Sequence, residues 1–220
     1  NLVAGDENGR SDVFVHDRQT GTTTRVSVSS AGEEGAGESA APSISSNGRY
    51  IAFHSAASNL VVTDTNGYPD VFVYDRNTGT TVRVSVDSNE QEGNGASWYS
   101  AICGSGRCVA FLSEASNLVE GDLNEFQDVF VRDLETETTT RVSVHSAGNE
   151  ANNFSGFLGP PSVSASGRYV IFASFASNLV DGDTTQNLDV FVHDRTTART
   201  TRVSVSASGA EAEDNSLNSL

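Results

Sequence analysis

Three short motifs return along this chain at a constant interval. Asn-Leu-Val begins at Asn1, Asn59, Asn117 and Asn178; Asp-Val-Phe-Val begins at Asp12, Asp70, Asp128 and Asp189; Arg-Val-Ser-Val begins at Arg25, Arg83, Arg141 and Arg202. All three step by 58, 58 and 61 residues. A period of this size marks an array of one supersecondary unit, in which each copy buries its apolar face against the next. The three additional residues fall between Arg141 and Ser162, around Phe154 to Pro161, as an insertion in a surface loop does.

Each unit reads as four short strands. In the second repeat they fall near residues 42–45, 49–53, 71–74 and 81–86. Val, Ile, Phe, Tyr and Thr supply them, and apolar positions alternate as a half-buried pleat requires. Asn47-Gly48 and Asn77-Thr78-Gly79 are hairpin signals. No longer window carries a helical period. Antiparallel four-stranded units at fixed spacing predict an all-β fold of β-propeller blades. An open β-solenoid is the competing arrangement, although its coils are shorter and lack internal hairpins. The expected boundaries are a partial blade over 1–40, holding strands three and four, then blades over 41–98, 99–159 and 160–220. That makes roughly three and a half blades, fewer than the about four to eight that close a ring. No charged-then-apolar leader opens the sequence. A mature, trimmed or partial chain is therefore expected: a window of a longer parent chain, or one completed by a partner chain or by head-to-tail self-association into a fibre.

The run Ser43-Ile44-Ser45-Ser46-Asn47-Gly48-Arg49-Tyr50-Ile51-Ala52-Phe53, followed by Asp-Val-Phe-Val and Thr-x-Arg-Val-Ser-Val, resembles the TolB-like β-propeller repeat. The resemblance covers nearly the whole chain. It implies the propeller fold, in a family whose blades serve as docking surfaces, as gating domains of enzymes and as parts of large extracellular proteins. The long acidic connection in each repeat departs from the compact TolB-type blade.

That connection holds the sharpest chemical signal. Asp6, Asn8 and Asp12 follow the pattern D-x-N-G-x-x-D, and so do Asp64, Asn66 and Asp70. Asp122, Asn124 and Asp128 repeat it without the Gly; Asp183 and Asp189 repeat it without Asn or Gly. Oxygen ligands two residues apart, a sharp turn and a returning carboxylate suit calcium. The same residues also suit a plain turn.

Cys103 and Cys108 are the only cysteines. They stand at the Ser45 and Tyr50 positions, on the two arms of one hairpin, and read as a disulfide of an oxidising, extracellular or cell-surface setting. Arg49, Arg107 and Arg168 each follow the hairpin Gly and are expected to pair with a carboxylate of the same blade, such as Asp75. His16 and His193 share a repeat position with Tyr74 and Arg132, a variability that predicts an exposed strand site. Trp98 and Tyr99 occur in one repeat only and read as packing variants, since Ala40, Ala41, Pro160 and Pro161 occupy comparable places; the alternative is rings offered to a sugar. Asn153-Phe154-Ser155 is a glycosylation sequon.

The chain carries 13 basic residues, all Arg, against 29 acidic ones, for a formal charge of −16. That excludes the basic footprint of a nucleic-acid binder. No apolar run approaches the about 20 residues of a membrane helix, so no membrane insertion is expected. Nucleophile-elbow and zinc-protease motifs are absent, and carboxylates that recur in every unit are architectural before they are catalytic. The sequence thus points to a non-catalytic, calcium-stabilised scaffold or assembly module. The alternatives are a lectin-like propeller with a glycan or protein ligand, and an accessory propeller of a larger hydrolase.

Overall fold

The computed structural model describes residues 2–156 and 159–211, and within them every regular element is a β-strand. β1 (Phe14–Asp17) and β2 (Thr22–Arg25) form a two-stranded sheet. Three four-stranded antiparallel sheets follow. The first contains β3 (Ser39–Ile44), β4 (Tyr50–Ser55), β5 (Asp70–Asp75) and β6 (Thr80–Arg83). The second contains β7 (Ser97–Ile102), β8 (Cys108–Ser113), β9 (Asp128–Asp133) and β10 (Thr138–Arg141). The third contains β11 (Ser162–Val163), β12 (Tyr169–Ser174), β13 (Asp189–Asp194) and β14 (Arg199–Arg202). Strand order follows chain order in each sheet, as in a propeller blade.

Two details differ from the sequence reading. The first strand begins earlier, at Ser39 and Ser97, because a bulge shifts its register between Ala40 and Ser43, and again between Trp98 and Ala101. Ala41 (φ 48°) and Tyr99 (φ 51°) take the left-handed conformation at those bulges. The fourth strand stops at Arg83 rather than Val86. A side chain ends the ladder: the Val71 N–H donates to Ser85 Oγ at 3.1 Å, while the Val84 N–H still reaches Val71 O at 2.8 Å. Ser27, Ser143 and Ser204 receive the N–H of Val13, Val129 and Val190 in the same way.

The core lies between sheets rather than within one. Along β5, Val71 and Val73 face the following sheet and Phe72 faces the preceding one, as strand alternation dictates. Ala52, Val71, Val73 and Val84 pack against Val109, Phe111 and Phe130. Ala110, Val129, Val131 and Val142 pack against Val170, Phe172 and Phe191. Val13 and Val26 cover Ile51, Phe53 and Phe72. Polar latches join the outer edges. The Thr81 N–H donates to Ser30 Oγ of the preceding repeat at 3.0 Å, Thr139 to Ser88 at 3.0 Å, and Thr200 to Ser146 at 3.0 Å.

The last sheet presents the face that its predecessors bury. Ile171 is 43% exposed and Val203 47% exposed, whereas Ala52, Ala110 and Val84 are 0% exposed and Val142 is 1% exposed at the same repeat positions. Among the described residues no helix is long and apolar enough to cross a membrane.

Candidate functional site

The acidic connection folds back so that its two aspartates meet a glutamate from a second loop. In each repeat a short antiparallel bridge forms beyond the fourth strand, Val28 with Glu34, Val86 with Glu92, Val144 with Glu150 and Val205 with Glu211. It returns the glutamate to the acidic loop. Carboxylate oxygens of Asp6, Asp12 and Glu34 lie within 4.8 Å of one another, as do those of Asp64, Asp70 and Glu92, and of Asp183, Asp189 and Glu211.

The point on which the carboxylates converge, where the sequence reading places calcium, is held by an arginine. Arg141 Nη1 lies 2.9 Å from Asp122, 3.2 Å from Asp128 and 3.2 Å from Glu150. Arg202 Nη1 lies 3.2 Å from Asp183, 3.3 Å from Asp189 and 2.9 Å from Glu211. Arg83 meets Asp64 at 3.8 Å, Asp70 at 3.0 Å and Glu92 at 3.2 Å. Arg25 meets Asp6 at 3.7 Å and Asp12 at 3.5 Å, and also pairs with Glu34. The second guanidinium nitrogen is also engaged: Arg25 donates to Gly5 O at 2.8 Å and Arg83 to Thr63 O at 2.9 Å.

The remaining predicted ligands are committed elsewhere. Asn8, Asn66 and Asn124 each accept the N–H two residues on, at 2.7, 2.7 and 2.9 Å, through the amide oxygen that a cation would need. Their amide nitrogens donate to Asp12, Asp70 and Asp128, and to Gly35 O, Gly93 O and Ala151 O of the returning loop. The serine that ends the strand ladder donates its hydroxyl to the aspartate: Ser85 to Asp70 at 2.5 Å, Ser27 to Asp12 at 2.6 Å. The Asn-Leu-Val asparagine belongs to the following repeat. Asn59 clamps Glu34 O and the Ala36 N–H, both at 2.8 Å; Asn117 and Asn178 do the same around Glu92 and Glu150. Each recurring polar residue is thus part of one network.

The arginine opens a recurring motif in the sequence but is not assigned there to the acidic site, and the glutamate is not singled out at all. Both were present as a signal: Glu34, Glu92, Glu150 and Glu211 recur at 58, 58 and 61 residues, in phase with the arginines. What sequence spacing lacks is the fold-back that brings a residue 22 positions beyond Asp70 into contact with it.

Three carboxylates against one guanidinium leave two excess negative charges if all are ionised. Burial, opposed by Arg141 and reinforced by Asp128 and Glu150, pushes the Asp122 carboxyl up to about 6. Burial also raises Asp183, to about 6, and raises Asp64, Asp70 and Asp128. A carboxyl raised in the folded state binds a proton there before the unfolded chain does. Acidification from above pH 6 toward the unfolded value of about 4 therefore adds stability. Below that, carboxyls held low act oppositely. Asp75, held down to about 2 by the hydrogen bonds from Arg49, supplies stability above the unfolded value that is lost as pH falls through about 2. Melting temperature is expected to peak between about pH 4 and 5 rather than at neutrality, which a calorimetric pH series measures; a monotonic fall below pH 7 contradicts it.

The other singled-out residues divide. Arg49, Arg107 and Arg168 pair with Asp75, Asp133 and Asp194 of their own blades, as expected. The position shared by His16, Tyr74, Arg132 and His193 is not uniformly exposed: Arg132 and His193 are buried, Arg132 against Glu90 and Asp87 O, His193 against Thr200. The expected Cys103–Cys108 disulfide is not formed; both are buried free thiols. Cys103 Sγ accepts the Cys108 N–H at 3.0 Å, the bond that Ser45 Oγ takes from Tyr50 at 3.0 Å, so the sulfur does the work of the serine hydroxyl. The hydrogen bond between the thiols pulls Cys103 down to about 5 and pushes Cys108 up.

No protein-family model and no curated protein matches the chain. Solved structures do match in fold. Oligogalacturonate lyase in complex with manganese superposes with a TM-score of 0.54 at 14% identity, over 87% of this chain and 47% of the lyase. Tricorn protease gives 0.53 at 15% identity, over 88% of this chain and 20% of the protease. TolB from Acinetobacter baumannii gives 0.50 at 18% identity, over 87% of this chain and 37% of TolB. The chain spans less than half the length of each. Blades of four antiparallel strands, cores formed between sheets and these superpositions agree: the fold is that of β-propeller blades, similar to those of TolB and tricorn protease.

Proposed function

We propose that this chain is a non-catalytic scaffold, a run of blades that holds surfaces in fixed relation. One observation carries the reading: the polar residues that recur in every repeat are spent on one another inside the fold. Arg83 takes Asp64, Asp70 and Glu92; Ser85 takes Asp70; Asn117 takes the backbone beside Glu92. A catalytic carboxylate has to reach a substrate proton or cation, and these reach only their neighbours. The exposed apolar face of the last sheet adds an assembly role. Its residues are those that pack blade on blade elsewhere in the chain, so its fitting partner is a further blade of the same repeat.

In this reading the arginine is the standing counter-ion of each acidic cluster. A second reading, calcium sharing the cluster, draws on the two excess negative charges. Melting the chain in excess chelator and again in about 2 mM calcium separates them. A bound extracellular-type site would add about 1.8 kcal/mol at that concentration. The melting temperature is expected to be the same in both; a rise of several degrees with calcium transfers the clusters to the metal reading.

The likeness to part of tricorn protease favours one further placement, as an accessory domain of a larger enzyme. Intact mass of the native protein tests it.

A further inference from the structure

Residues that recur in every blade are explained by the fold, so departures from the repeat mark where a blade does something its neighbours do not. Several departures meet in one crevice of about 300 Å3 beside the bulge of β7. Trp98 and Tyr99 stand where the preceding repeat has Ala40 and Ala41; Phe154 stands where earlier repeats have Glu38 and Ala96; Gln127 replaces Ser11 and Pro69; Glu114 replaces Ala56.

Each ring is fixed by a partner of its own. Trp98 Nε1 donates to Gln127 Oε1 at 3.2 Å, and Gln127 Nε2 donates to Ser155 O at 2.9 Å. Phe154 meets Phe126 edge-on with centroids 4.9 Å apart. Tyr99 meets His54 edge-on at 5.7 Å, on a backbone held left-handed by the bulge. Gly156 lets the chain close over the floor, since a Cβ there would lie 2.2 Å from Leu112. Tyr99 and Phe154 stay 42% and 43% exposed, so these rings are held in place without being buried. Among the described residues Glu114 is the one charged side chain lining the crevice, and it is exposed.

We propose that this crevice binds an organic cation of the alkylated-ammonium class, free or carried on a lysine side chain. Ring faces attract a cation through their quadrupoles, and weakly hydrated alkylated ammonium groups favour such surroundings. The Glu114 carboxylate supplies the counter-charge, none of the described residues lining the walls is basic, and the chain's charge of −16 draws cations toward it.

Trp98 is the only tryptophan, so its emission reports from the site itself. Titration with tetramethylammonium chloride at constant ionic strength, balanced by sodium chloride, is expected to give a saturable change in emission. Glu114→Gln and Phe154→Ala, both at exposed positions, are expected to weaken the midpoint about tenfold each. Methyl glucoside is expected to give no change. Absence of a saturable response to tetramethylammonium overturns the proposal. So does a response that Glu114→Gln leaves unaltered, and so does saturation by methyl glucoside instead, which makes the crevice a sugar site.

Discussion

Replacing Arg141 by Gln is expected to lower the unfolding free energy by about 3–5 kcal/mol, the range seen when one partner of a buried ion pair is removed. The Arg141 side chain is 8% exposed, and the three carboxylates on it include Asp128 at 0% and Asp122 at 5%. Without the guanidinium these charges face one another in a site that already raises the Asp122 carboxyl. Adding Asp122→Asn to the variant is expected to restore part of the loss, because one buried charge goes with it. Arg49→Gln is the control. That side chain is 37% exposed, so solvent screens its bridge to Asp75 and a much smaller loss is expected. Urea unfolding of the four proteins measures the difference; equal losses at Arg141 and Arg49 would show that the cluster does not depend on its arginine.

The second large effect is positional. Val142→Ala is expected to cost about 2–3 kcal/mol, from lost transfer energy and the cavity left behind. Val203→Ala is expected to stay within about 0.5 kcal/mol. Both residues are the first Val of the same Arg-Val-Ser-Val motif. Val142 is 1% exposed beneath the following sheet, and Val203 is 47% exposed because no sheet of the described residues lies over it. The comparison measures what one blade contributes to its neighbour, with chemistry and local backbone held constant. Similar losses at the two positions would mean that Val203 is covered in solution.

Much of this architecture is legible in residue order. Val71, Phe72 and Val73 alternate because they serve two different interfaces, and the 58-residue step repeats that arrangement along the chain. Strand ends are less legible. Ser85 ends β6 by offering a hydroxyl to the Val71 N–H, and nothing in Thr-Val-Arg-Val-Ser announces that substitution. The acidic loops show the same limit at the level of chemistry. Asp64, Asn66 and Asp70 read as cation ligands because the residue that pairs with the two aspartates, Arg83, lies 13 positions beyond Asp70 on a different strand. Spacing identified the charged loop; only the fold identified its counter-charge. Cys103 and Cys108 fail similarly: adjacency across a hairpin suits a covalent link, and equally the serine-like hydrogen bond that the structure contains.

The clamp that Asn117 places on the Glu92 loop crosses from one repeat to the one before it, and Asn59 and Asn178 cross in the same sense. The clusters of Glu34, Glu92 and Glu150 are therefore each finished by the successor of the blade that owns them. Undocking a blade therefore also loosens the electrostatics of the blade before it, so loss of order passes from one blade to the next like a zip, with amide protons of the middle sheets expected to exchange last.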